Sequence, residues 1–418
     1  MKITSYKEAL EEEQKGMPDA IRIVNRIISD VRQNGDKAVR KYSLKFDRTL
    51  PRQVGKAEIK RAYRMLAMED IVALKKAAAR IRRFAKRQLK NLKGFKLRTK
   101  GYELGLRFEP IERAGCYVPG GRYPLPSSAL MSVITAKAAG VKEAIVCSPK
   151  IKPATIVAAD MAGADMIFDV GGAHAIAAMA YGTETIPKAD KIVGPGNKYV
   201  TAAKKAVYGE VGIDFIAGPT ELVAIADKKA NPKFIAADLL STAEHDTEAK
   251  VTLITDSAMI AKAVLTELKT QLTELTTSKV ARKAIKKGKI IVVKDLMKAA
   301  RIANELAPEH LELQIRNSIR LIPKLKNYGA LFIGAYTTKV FGDYSSGTNH
   351  ILPTGKAAKY AGGLSVMDFV RAQTYQRAYG KKCKAIPELA KAAAKIAEME
   401  GLEAHKKAAL IRLKQTKQ

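Results

Sequence analysis

Residues 143–196 read EAIVCSPKIKPATIVAADMAGADMIFDVGGAHAIAAMAYGTETIPKADKIVGPG. Short apolar runs (KEAIVCS, DMIFDV, DKIVGPG) alternate with longer stretches (ATIVAADMAGA, AHAIAAMAYG) whose spacing suits helices. The runs show no apolar–polar alternation, so each expected strand has both faces covered. That is the pattern of a parallel sheet flanked by helices. Upstream, GCYVPGG reads as a strand with a Gly loop, and SSALMSVITAKAAGV as a helix with a Ser cap. Downstream, NKYVTAAKKAVYG reads as a helix and DFIAGP as a strand. The result is four successive strand–helix units over 116–221.

The alternation resumes after Glu221. ELVAIAD, KVTLITD, KIIVVKD, HLELQI and ALFIGAYT read as strands separated by helices. Residues 1–110 read as mostly helix, as in AIRIVNRIISDVRQNG and IVALKKAAARIRRF, and 365–418 revert to helix with a Lys-rich tail. The expected fold is α/β: two Rossmann-like parallel-sheet domains plus small helical N- and C-terminal segments. The expected boundaries are an arm at 1–13, a first α/β domain from 14–115 and 222–364, a second from 116–221, and a tail from 365–418.

The chain has 418 residues, ample for more than one buried core. No stretch approaches a membrane span, and the N-terminus has no apolar run of the kind found in a signal peptide. Cys116, Cys147 and Cys383 are far apart, which suits a reduced, cytoplasmic protein. The net charge of +33 raises the question of nucleic acid. Residues 51–110 carry 18 Lys/Arg against 5 Asp/Glu, whereas 111–220 carry 11 against 9. The surplus falls on surface-type helical segments, with no aromatic-interleaved RNA-binding motif, so a solvated basic face is favoured over a nucleic-acid site.

An open parallel sheet binds ligands beyond the carboxyl ends of its strands. Here those ends are VPGG (118–121), DVGG (169–172), VGPGN (193–197) and AGPTE (217–221). Glycines there let backbone approach a ligand, and the following helix N-termini favour anions. Four such turns in one sheet suggest a dinucleotide crevice, although none is a G-x-G-x-x-G fingerprint. There are five histidines: His174, His245, His310, His350 and His405. Taken singly, each is more often a plain surface or core residue. As a set they sit beside carboxylates: AEH, APEH, a loop GDYSSGTNH with Asp343 upstream of His350, and EGLEAH with Glu400 before His405. Imidazole with carboxylate serves both zinc sites and acid–base sites. No compact zinc-finger spacing occurs, so a metal site here would be assembled from distant segments.

AGCYVPGGRYPLPSSALM, VGPGNKYVTAAK, AGPTE, ADLLSTAEH, LAPEHLEL, GDYSSGTNHILPT and EGLEAHKKA resemble, in this order, the signature segments of the histidinol dehydrogenase family. The resemblance implies an NAD-dependent, zinc-containing homodimer that oxidises L-histidinol to L-histidine through the aldehyde. It makes 116–221 the NAD-binding domain and 14–115 with 222–364 the domain of metal and catalytic residues. Glu309 matches the base that activates water, and His310 the base that takes the alcohol proton. His245, Asp343 and His405 match zinc ligands, with one Zn2+ per subunit. Thr220, Thr242, His245, His310, Asp343, His350, Glu400 and His405 match substrate-binding positions. Tyr117, His174 and Asn197 match cofactor-contacting positions. The tail is expected to complete the partner's site with Glu400 and His405.

Three positions depart from the family's pattern. Thr242 stands where Gln is usual and its amide oxygen binds zinc, which leaves Thr242 a possible but poor ligand. His174 stands where Gln is usual, and Thr220 where Ser is usual. Two other readings stay open: a relative that oxidises a different polar primary alcohol, and a basic nucleic-acid-binding protein with an idle site.

Overall fold

The computed structural model describes residues 1–4, 18–120, 123–380 and 383–415. They form two compact units, Met1–Gln88 with Ile111–Phe369 and Leu89–Pro110 with Val370–Gln418.

The first unit holds two open sheets. One runs, edge to edge, Lys2–Ile3, Lys289–Val292, Lys250–Thr255, Glu221–Ala226, His310–Gln314 and Ala330–Ile333, all parallel. The other runs Arg52–Gln53, Met166–Asp169, Glu143–Ser148, Arg113–Tyr117, Lys191–Val193 and Gly212–Ile213. It is parallel except where the Arg52–Gln53 edge pairs antiparallel. In the second sheet the earliest of the parallel strands, Arg113–Tyr117, is central, and in the first sheet, apart from the Lys2–Ile3 edge, Glu221–Ala226 takes the same place, so the chain winds outward in both directions from each. Each sheet therefore has a switch point, the place where doubly wound folds open a crevice.

The apolar runs explain the layers. Leu222, Ala224, Leu253 and Ile290 turn one way into a core with helices Pro232–Ala243 and Ala258–Glu274. Val223, Ile225, Ile254 and Leu313 turn the other way against helix Leu296–Leu306. Helices Pro126–Ala139 and Pro153–Ala162 end on Gly140 and Gly163 with φ of 97° and 98°, left-handed stops that bond back to the last helical carbonyls.

Four expectations need correction. Helix Pro18–Phe46 packs on helices Gly172–Tyr181 and Lys198–Val207, so it builds the core of the second sheet rather than joining 222–364. Its apolar stripe of Val24, Ile27, Ile28 and Val31 is what that sheet's outer face lacks. Residues 95–110 are strands, not helix: Phe95–Thr99 and Tyr102–Pro110 pair antiparallel with each other, and Val370–Ala378 adds to them in the second unit. The tail is therefore strand first, then helices Ile386–Met399 and Glu403–Gln415 packed on each other. DFIAGP forms no strand; the last strand of its sheet is Gly212–Ile213. Of the expected arm 1–13, Lys2–Ile3 is an edge strand, and 5–13 lie outside the described residues. No described helix is long and apolar enough to cross a membrane.

Candidate active site

His310 is the first residue of its strand, and Glu309 directly precedes it. Both sit at the amino edge of the first sheet, opposite the edge where open sheets usually bind ligands. The neighbouring strand begins there too, with Glu221, and Leu222 stands in register with His310. The Nδ1 of His310 lies 3.0 Å from the Glu221 carbonyl. A carbonyl only accepts, so when the ring is neutral its proton sits on Nδ1 and Nε2 is left as the acceptor. That Nε2 is 3.3 Å from Asp343 Oδ1 and has no hydrogen-bond partner among the described residues. Glu309 Oε2 is 3.5 Å from His310 Nδ1 and accepts from the Glu221 amide at 2.8 Å. Burial disfavours a charged His310, but the Glu309 and Asp343 carboxylates outweigh it, and its pKa is pushed up to about 10.

Asp343 comes from the short helix Lys339–Tyr344 after the last strand. One turn before it, Lys339 places Nζ 2.7 Å from Asp343 Oδ2, and both side chains are buried. Burial opposes charge on Asp343, but Lys339 and then His310 reverse this and hold the carboxyl far below the usual range. His350 Nδ1 donates to the Asp343 carbonyl at 2.7 Å, and its Nε2 is 3.2 Å from Ser128 Oγ. The preceding Asn349 donates to the Met131 carbonyl and to Thr135 Oγ1, each at 3.1 Å. The GDYSSGTNH loop is thereby pinned to helix Pro126–Ala139 of the second sheet.

Thr242 and His245 come from the end of helix Pro232–Ala243, which runs back from the carboxyl edge to the amino edge. Thr242 is fully buried, and its hydroxyl reaches the Asp238 carbonyl one turn back at 3.4 Å. Burial, and then the charge of Lys339, lower the pKa of His245. Thr220 immediately precedes the Glu221 strand, and its carbonyl accepts from the Lys250 amide at 2.9 Å. Thr242, His245, Glu309, His310, Asp343 and His350 thus belong to one edge of one sheet. Glu400 and His405 lie in the second unit, at the end of helix Ile386–Met399 and in the first turn of Glu403–Gln415, both exposed.

The second sheet follows the carboxyl-edge rule. A cavity of about 460 Å³ opens at its switch point, and Tyr117, His174 and Asn197 line it together, with Gly120, Gly172 and Lys150. Asn197 caps helix Lys198–Val207, accepting from the Tyr199 and Val200 amides at 3.0 and 3.2 Å. Gly194 has φ of 118°, and a Cβ there would meet the Tyr117 carbonyl oxygen at 2.1 Å. Its carbonyl accepts from Lys204 Nζ at 2.8 Å and its amide donates to Asp214 Oδ2 at 2.8 Å. Lys204 and Asp214 are themselves a buried ion pair, so the turn is clamped from both sides. His174 is buried with Nε2 3.1 Å from Ser43 Oγ, and Nδ1 has no partner among the described residues. Its burial pushes the pKa down to about 4.

Histidine–carboxylate chemistry at one sheet edge and a glycine-lined crevice at the other sheet's switch point match a dehydrogenase. A family model described as histidinol dehydrogenase matches residues 10–413. The chain belongs to the histidinol dehydrogenase family. The histidinol dehydrogenase of Streptococcus mutans is 44% identical over 414 residues, covering 97% of this chain and 96% of that protein. That of Clostridium acetobutylicum is 43% identical over 418 residues, covering 98% and 96%. The crystal structure of histidinol dehydrogenase from Elizabethkingia anophelis matches with a TM-score of 0.93 at 38% identity, covering 99% of this chain and 96% of that one. The α/β fold with two Rossmann-like sheets is thus the fold of this histidinol dehydrogenase family.

Three residues of the site escaped the reading of the sequence. Lys339 was signalled only by its four-residue spacing from Asp343, which stacks the two on a helix. Ser128 lay in a segment read as a helix cap. Glu221 acts through its backbone, which no side-chain pattern reveals.

Proposed function

We propose that this chain oxidises L-histidinol to L-histidine with NAD, through the aldehyde, in histidine biosynthesis. One observation carries the reading most: Glu309 and His310, adjacent and buried at a strand start, with the His310 tautomer set by the Glu221 carbonyl. In the first oxidation His310 Nε2 takes the hydroxyl proton as hydride leaves the carbinol carbon. The resulting imidazolium sits between Glu309 and Asp343, which stabilise its charge. In the second, a water adds to the aldehyde carbon with Glu309 as its base. Glu309 keeps the water's proton, and the hydrate oxyanion so formed loses hydride in turn to give the acid. NAD supplies the hydride acceptor when bound. Tyr117, His174 and Asn197 are the side chains to hold it, since they share the switch-point cavity and the His174 Nδ1 there has no partner among the described residues. We assign His350 and Thr220 to substrate, and Glu400 and His405 to the site of the partner in a cytoplasmic homodimer.

Zinc is given no step. The side chains proposed for it do not fit a divalent ion, because a buried ammonium already stands on Asp343 and the Thr242 hydroxyl is directed at its own helix. Among the described residues no three His, Cys, Asp or Glu side chains converge as a metal site. The deciding experiment is NADH formation from L-histidinol by the purified protein, followed at saturating NAD against a panel of other polar primary alcohols. Two NADH per histidinol, with histidinol far the best substrate, is the expected result. A better substrate in the panel transfers the assignment to that alcohol.

A further inference from the structure

We propose that the Lys339 ammonium is the resident cation of this site, standing on Asp343 where a divalent metal would have to bind, so that this chain works without a bound zinc. The inference builds on the proposed oxidation for its meaning, but its test does not depend on it.

One oxygen of Asp343 is bound to a cationic group of the same chain, and the other faces an imidazole. Oδ2 is 2.7 Å from Lys339 Nζ, and Oδ1 is 3.3 Å from His310 Nε2. A metal ligated by this carboxylate would sit against the ammonium, and two like charges in a buried site repel strongly. Nor is Lys339 a surface side chain that has folded in. It is 1% exposed, among the most buried large side chains of the protein. Its backbone amide donates to Glu312 Oε1 at 2.9 Å, and Thr338, the cap of its helix, is tied to Asp238 Oδ1 at 2.6 Å. Helix register and lysine stem are therefore fixed from beneath by two buried carboxylates.

Thr242, the remaining candidate, has a short neutral hydroxyl bonded within its helix. The ammonium already sets a positive charge against the Asp343 carboxylate. Lys339 is on this view a positioning residue. It holds the Asp343 carboxylate in place facing His310, which a metal would otherwise do.

The test is metal binding by the full-length protein. The purified protein is dialysed against a chelator, its zinc content measured by mass spectrometry, and Zn2+ alone titrated back by calorimetry. Wild type is expected to carry far less than one zinc per chain and to bind added Zn2+ weakly. Lys339→Met combined with Thr242→Gln is expected to tighten zinc by about 10–100-fold, the range over which neighbours tune a metal site. Stoichiometric, tightly held zinc in the wild type overturns the proposal, and so does a double variant that is folded yet gains no affinity. If the variant does not fold, the wild-type metal content still decides. Chelator-treated wild type turning over histidinol at an unchanged rate supports it, and restoration by Zn2+ of activity lost on chelation overturns it. A protein inactive on histidinol under every metal condition defeats the proposed function, while the titration still decides the place of Lys339.

Discussion

His310 Nε2 faces Asp343 Oδ1 across 3.3 Å, while Nδ1 of the same ring is occupied by the Glu221 carbonyl. Only one nitrogen of His310 is therefore available for proton transfer, and a carboxylate waits beside it for the charge that transfer creates. As a base His310 must first be neutral. With its pKa pushed up to about 10, kcat/KM for the alcohol should rise with pH through 7–10 and level off above. A pH–rate profile in overlapping buffers checks this. A plateau already reached near neutrality would remove His310 as the titrating base.

Glu309→Gln keeps the shape of the site and removes a base. Oxidation of the alcohol should be slowed little, whereas oxidation of histidinal should fall by about 10²–10⁴-fold. Stopped-flow comparison of the two substrates separates the steps. Equal losses on both would assign Glu309 a structural role beside His310.

His174 is held neutral by burial, with a pKa pushed from 6.5 down to about 4. The unfolded chain takes up a proton at this residue below about pH 6.5 and the folded chain does not until about pH 4. Stability that is fully present above 6.5 is lost as pH falls through that window, by up to ~3 kcal/mol. His174→Gln should flatten this part of the wild-type minus variant curve of Tm against pH. Parallel curves for the two proteins would contradict it.

Lys204→Met leaves Asp214 buried without its partner. Unfolding should become easier by about 3–5 kcal/mol, the cost of breaking a buried pair. Because Lys204 also holds the Gly194 carbonyl, KM for NAD should rise well beyond any change in KM for histidinol. A variant with the stability loss but an unchanged KM for NAD would confine the pair to the fold.

What was legible in the sequence follows burial. The parallel strands were readable because strands covered on both faces are uninterrupted apolar runs, as in ELVAIA and EAIVCS. The antiparallel sheet was not, because Tyr102–Pro110 and Val370–Ala378 carry Glu, Arg and Gln, the first is only partly buried and the second mostly exposed, and such segments look like solvated helix or loop. DFIAGP has the apolar look of a strand. Its Asp214, however, is spent on the Gly194 amide and Lys204, which draws the segment into the Gly194 turn. The Glu309–His310 pair was visible as residue types, but not the carbonyl that fixes the tautomer. Lys339 was hidden by the strongest default of all: a lysine in a chain of net charge +33 reads as surface.

The hydroxyl of Ser128 touches His350, and the helix that carries Ser128 begins a few residues beyond Gly120, which lines the switch-point cavity. One serine hydroxyl is thus a seam where a histidine of the first sheet's layer meets a helix of the second, so Ser128→Ala removes a tie between the two layers.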